Sequence, residues 1–238
     1  MSRPVRQRLI FVFWAVGLLS AVAAQPAPAP DGFEPPPGLA DGWYARIETS
    51  EGRILARLHP EQAPQSVTHF AKLAEGEMPW LDPVSGEELT GHYYDGVPVH
   101  RSIAMERFEA GDRSGTGRGA PPLFVSPEGF GPLNFSVGYR LGMTGGAGSK
   151  ISAVQFFVTA AAEPLLNGRY PCFGTVIGGK DVVSRITTVK TYSNGRPVEP
   201  VIIEKVRVFS VGKVEPLPAP VIYKPRPAEL KAHDKFSK

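Results

Sequence analysis

Between Trp43 and Leu58 the chain alternates about a glycine, and no other stretch constrains the fold as tightly. Trp43, Ala45, Ile47 and Thr49 interleave with Tyr44, Arg46 and Glu48. Ser50-Glu51-Gly52 turns the chain, and Ile54, Ala56 and Leu58 alternate again. Successive side chains of a strand face opposite sides, so a period of two around a Gly turn predicts two antiparallel strands. A helix is predicted next: Pro64 suits a first turn, Val67, Phe70, Ala71 and Ala74 form one apolar stripe, and Gly76 suits the C-cap. Asp82-Pro83 and Ser85-Gly86 mark residues 77–96 as a long loop. Leu133–Met143, Val154–Thr159 and Phe173–Ile177 predict short strands, Asp181–Val189 a second helix, and Val201–Val211 a closing strand. Many short strands with two helices predict a mainly β architecture, a closed barrel capped by helices.

The two ends of the 238-residue chain differ from its middle. Arg3, Arg6 and Arg8 precede an apolar run, Leu9–Leu19, and the small residues Ser20–Ala24. That order predicts a signal peptide over 1–24, cleaved near Ala23 or Ala24, and an exported protein, periplasmic or secreted. An uncleaved anchor is the alternative, but the run is short for a span of about 20 residues. No Cys stands at the cleavage site to take a lipid. Pro-rich residues 25–40 are expected to be a linker, 41–213 the folded domain, and the Pro- and Lys-rich 214–238 a tail. The net charge of +3 sits partly at the termini and is too small to argue for nucleic acid. The single cysteine, Cys172, excludes an internal disulfide, and the Cys/His spacing of a zinc site is absent, so no metal is expected.

A series of short motifs runs through 43–212. Ala63-Pro64 opens the helix with Phe70 and Leu73. Tyr94-Asp95-Gly96 leads to Val99-His100-Arg101, then to Gly111-Asp112 and Gly115-Thr116-Gly117. Leu141-Gly142-Met143, Gln155-Phe156-Phe157, Phe173-Gly174-Thr175-Val176 and Asp181-Val182-Val183 complete it. In order and spacing this series resembles the cyclophilin-type peptidyl-prolyl cis-trans isomerases. The resemblance implies an antiparallel eight-stranded barrel, closed and capped by two α-helices. It also implies a cofactor-free rotation of X-Pro bonds in proline-containing polypeptide segments, carried out by a monomer.

Amide resonance opposes that rotation with a barrier of about 18–20 kcal/mol. A catalyst must hold the twisted amide better than either planar form. The resemblance gives this work to Arg101, which donates to the prolyl nitrogen as it becomes pyramidal, to Gln155, which fixes the substrate backbone, and to Phe157, which grips the ring. Leu166 is assigned to the pocket wall. His100 is expected to be a structural residue hydrogen-bonded inside the barrel, and Cys172 a small buried hydrophobe.

Departures from the family pattern fall in the substrate-binding positions. Two apolar walls become Glu106 and Arg107, and a backbone-binding amide becomes Glu109. An Ala-Asn contact pair becomes Thr144-Gly145, a frequent Trp becomes Leu165, and a usual His becomes Tyr170. A charge buried against a proline ring carries a desolvation cost unless it is paired. The expectation is therefore a cyclophilin fold with Arg101 retained and a rewritten, less active pocket. Two other readings stand beside it: a module that binds peptides without turning them over, and a scaffold domain in the cell envelope.

Overall fold

A computed structural model describes residues 33–82, 85–119, 123–146 and 150–221. The expected signal peptide lies outside them, as do the start of the linker and the end of the tail.

The predicted hairpin forms: β1 (Gly42–Thr49) pairs with β2 (Gly52–Leu58), opposing Ala45 to Ala56 and Ile47 to Ile54, all four buried. Helix α1 (Pro64–Glu75) follows. Its first residue is proline and its N-cap, Ala63, has no side-chain acceptor, so the free N–H groups of Gln65 and Ser66 bond instead to the carboxylate of Glu128, 3.1 and 2.5 Å away. Gly76, at φ +74°, closes the helix and donates to Leu73 O.

Seven short strands follow: β3 (Trp80–Leu81), β4 (Glu88–Leu89), β5 (Val97–Pro98), β6 (Arg101–Ile103), β7 (Arg107–Ala110), β8 (Phe124–Val125) and β9 (Arg140–Gly146). Then come β10 (Lys150–Thr159), a 3-10 turn (Pro164–Leu166), β11 (Cys172–Gly178), α2 (Lys180–Ile186) and β12 (Ile202–Val211). The loop expected at 77–96 carries the small β3–β4 ladder. The strand expected from Leu133 begins only at Arg140. Before it, Asn167 and Asn134 take up the N–H groups of Phe135 and Ser136, which a ladder would need.

Ten strands form one curled antiparallel sheet in the order β5-β12-β1-β2-β11-β9-β10-β7-β6, with β8 beside β10. Its edges, β5 and β6, are consecutive pieces of one segment and do not pair with each other. Val99 N donates to Val201 O on one side of the seam, and His100 N to Glu109 O on the other. The expected eight-stranded closure by hydrogen bonds is thus replaced, among the described residues, by the chain itself crossing the gap.

The core fills the inside of the curl. Phe70 on α1 lies 5.1–5.4 Å, centroid to centroid, from the rings of Tyr94, Phe156 and Phe173, all fully buried. Helix α1 packs against β10 and β12, and α2 against β2 and β7. Beyond β12, residues 214–221 run back over β1 and α1, where His69 Nε2 lies 3.1 Å from Val221 O.

Truncation of Phe70 to alanine is expected to cost about 3–5 kcal/mol of unfolding free energy in a denaturant titration. Burial holds the His69 imidazole below its ordinary value, against the opposing pull of the Val221 carbonyl. The unfolded chain therefore takes up this proton first, and the stability at stake is lost as pH falls from about 6.5 through the folded value. The stability gap between wild type and His69→Gln should hold near neutral pH and narrow as pH falls below about 6.5.

Candidate functional site

Register builds the site. Arg101 opposes Glu109, Glu109 opposes Phe157, Phe157 opposes Gly142, and Gly142 opposes Cys172. Directly opposed residues of antiparallel strands share a face, so these five form one transverse row across β6, β7, β10, β9 and β11. Their neighbours Ser102, Phe108, Phe156 and Leu141 are buried on the other side. The row therefore lies on the outer face of the sheet.

Arg101 opens the row with its side chain 48% exposed, and its Nη1 lies 3.6 Å from Glu109 Oε1. Gly195 supports it. The Gly195 carbonyl accepts from Ser102 N at 2.7 Å, and a Cβ added at Gly195 would stand 3.1 Å from Arg101 Cγ. Glu109 also accepts from Arg107 Nε at 3.0 Å and lies 3.9 Å from His100 Nε2. Arg107 makes a second, short ion pair with Glu163 and stands 3.8 Å from Glu106, whose side chain is 54% exposed. Burial works against the Arg107 charge, but Glu163 and Glu109 outweigh it and hold the guanidinium protonated. Burial raises the Glu163 carboxyl, with Arg107 opposing.

Phe157 is buried. Phe135 tilts against it at 5.1 Å, Tyr170 meets it edge-on at 5.8 Å, and the Arg107 Cζ stands 5.9 Å from its centroid. Gly142 lies beneath these rings, and any side chain there would overlap both Phe157 and Phe135. Leu166 packs on the same cluster with Leu133 and Cys172. Leu165 does not join it: the turn directs it outward, 83% exposed. An open cavity of about 170 Å³ lies on the far side of this cluster, between Leu133, Phe135, Tyr170 and Cys172. Burial pushes the Cys172 thiol up to about 12, which keeps it protonated and unreactive.

Gln155 is engaged at both ends. Its Oε1 accepts from Thr144 Oγ1 at 3.1 Å, and its Nε2 donates to Gly117 O at 3.2 Å. Gly145 lies beside Thr144 in β9, opposite Ile151. The Gly117 loop is organised by buried Asp112, which accepts from Ser114 N, Ser114 Oγ, Thr116 Oγ1 and Gly119 N. Burial would raise this carboxyl, but the bonds from Ser114 and Gly119 prevail and hold it below the usual range. His100 packs against Gly117, and burial lowers its pKa against the opposing charges of Glu109 and Asp112, so the ring is neutral near pH 7. Its Nδ1 has no partner among the described residues, which corrects the expected hydrogen bond.

Residues 101, 107, 109, 157, 166 and 170 thus converge, Gln155 and Thr144 form a separate pair, and Glu106 stands at the rim. Three contributors escape a reading by motif: Glu163, Phe135 and Gly195. Only Gly195 carried a local signal, the turn-forming Asn194-Gly195 pair.

The family model for cyclophilin type peptidyl-prolyl cis-trans isomerase/CLD matches residues 44–208. Peptidyl-prolyl cis-trans isomerase B of Streptomyces anulatus is 37% identical over 173 residues, which span 71% of this chain and 98% of the relative. Peptidyl-prolyl cis-trans isomerase A of Mycobacterium tuberculosis is 35% identical over 166 residues, 69% of this chain and 91% of the relative. A Cryptosporidium parvum cyclophilin type peptidyl-prolyl cis-trans isomerase, crystallised in the presence of the dipeptide Ala-Pro, superposes with a TM-score of 0.59 at 25% identity. That superposition covers 69% of this chain and 98% of the other. With its family motifs held in one curled sheet and the match running through nearly all of it, the chain belongs to the cyclophilin-type peptidyl-prolyl cis-trans isomerase family.

Proposed function

We propose that this chain isomerises X-Pro bonds in extended segments of exported or unfolded proteins. The observation that carries the reading is the row itself: a half-exposed guanidinium, Arg101, and a covered aromatic ring, Phe157, on the outer face of the sheet with Glu109 between them. In this reading Arg101 donates to the prolyl nitrogen as conjugation breaks, which stabilises the twisted amide alone and so lowers the barrier. Gln155 presents its amide to the substrate backbone after exchanging its bonds to Thr144 and Gly117. Phe157, Leu166 and Tyr170 contact the ring, and Thr144 and Gly145 lie along the chain entering the site. No cofactor takes part.

The pocket is proposed to be rewritten. Arg107 covers the Phe157 ring and is held there by Glu163 and Glu109. Glu109 also draws on Arg101. Both features favour turnover slower than an uncovered pocket would allow. They also support the second reading, a module that holds proline segments without rotating them. Export is proposed from Arg3, Arg6 and Arg8 and the apolar run Leu9–Leu19.

A protease-coupled assay on an Ala-Pro tetrapeptide tests the catalytic reading. Arg101→Ala is expected to lower kcat/KM by about 100-fold or more, the scale of a lost transition-state donor. Equal rates for wild type and Arg101→Ala, with peptide binding retained, would select the binding module. Glu109→Gln should act in the opposite direction. A loose, partly exposed ion pair such as this one, at 3.6 Å, is worth on the order of 1 kcal/mol, so freeing Arg101 should raise kcat/KM by up to about five-fold.

A further inference from the structure

Residues 214–221, Val-Glu-Pro-Leu-Pro-Ala-Pro-Val, lie extended across β1 and α1 without joining any strand. Val214, Leu217 and Pro220 are half-buried, and Glu215, Pro216, Pro218, Ala219 and Val221 are exposed. Burial at every third residue is the signature of a polyproline II helix resting one face on a surface, since that helix has three residues per turn. Leu217 packs against the main core.

The hydrogen bonds fit the same geometry. Pro216, Pro218 and Pro220 have no N–H, so such a segment offers mainly carbonyls and needs donors from its partner. The domain supplies them from side chains. Trp43 Nε1 donates to Glu215 O at 3.1 Å, Gln65 Nε2 to Ala219 O at 3.4 Å, and His69 Nε2 lies 3.1 Å from Val221 O. The N–H of Val221 donates to Gln65 Oε1 at 2.7 Å. Every one of these contacts is to main chain. An indole donor beside an apolar groove is a recurrent way to read proline-rich peptides.

We infer that Trp43, Gln65 and His69 form a second polypeptide-binding groove, separate from the Arg101 row, that takes an extended segment with proline at alternate positions and an apolar residue at every third. Residues 214–221 are its built-in ligand. They close the groove in cis, and a segment of the same chemistry on another polypeptide enters when the tail lifts. A tethered tail competes at an effective concentration on the order of millimolar, so the intact chain is guarded against weak ligands in trans.

The test is fluorescence anisotropy of a labelled peptide with the sequence Val-Glu-Pro-Leu-Pro-Ala-Pro-Val, titrated with full-length chains. Leu217→Asp removes the tail's central apolar contact and leaves the groove untouched. This variant should bind the peptide about ten-fold tighter than wild type, the advantage of removing a tethered competitor. Adding Gln65→Ala, or separately Trp43→Phe, should abolish the gain, and a peptide with its three prolines changed to alanine should bind more weakly. The candidate isomerase site also accepts X-Pro, so Arg101→Ala is the control, and the gain from Leu217→Asp should survive it. Binding lost with Arg101→Ala, binding unaffected by both groove variants, or no binding to Leu217→Asp would overturn the inference.

Discussion

The antiparallel register of β6, β7 and β10 is the constraint on which the site depends. These strands are held by a few main-chain bonds each, and a slip of one residue would send Arg101, Glu109 and Phe157 inward and Ser102, Phe108 and Phe156 outward. Burial forbids the slip: Phe108 and Phe156 are fully enclosed, and Phe156 belongs to the aromatic cluster around Phe70. The same packing that stabilises the fold therefore aims the guanidinium. Gly111 and Gly142 extend the argument to backbone. A side chain at Gly111 would collide with the Val154 carbonyl, and one at Gly142 with two rings, so neither strand crossing leaves room for substitution.

The hairpin, both helices and the position of the closing strand were legible because their signals are local periodicities or caps. The family was legible because its motifs sit on strands whose register is fixed by burial. What escaped was set by distant partners. Leu133–Gly138 alternates like a strand, yet Asn167, 32 residues from Phe135, takes the bond that a ladder would have used. Arg107 as a charged residue in a pocket wall was plain from sequence. Its partner Glu163, 56 residues away, was not, and that pairing, with the one to Glu109, explains how the charge is tolerated beside Phe157. Phe108 stays in the core because its parity on β7 is opposite to that of Glu109.

Charge in the row is arranged rather than merely present. Glu109 stands between two guanidiniums and within 3.9 Å of a neutral imidazole. It is the shared acceptor that draws on both Arg101 and Arg107. On the Gln155 side the organising group is also a carboxylate, Asp112, which gathers four donors and so fixes the carbonyl of Gly117. Two acids thus shape a surface whose proposed working groups are a cation and an amide.

The open seam has its own consequence. β6 is an edge strand, and an open edge invites an extended chain to add to the sheet and stay. The turn at Tyr192–Arg196 lies across that edge and spends the Gly195 carbonyl on Ser102 N. A visiting chain that would otherwise continue the ladder finds its anchoring donor already taken. The small loop thereby blunts the edge, in the way short covered edges keep a sheet from pairing with another chain.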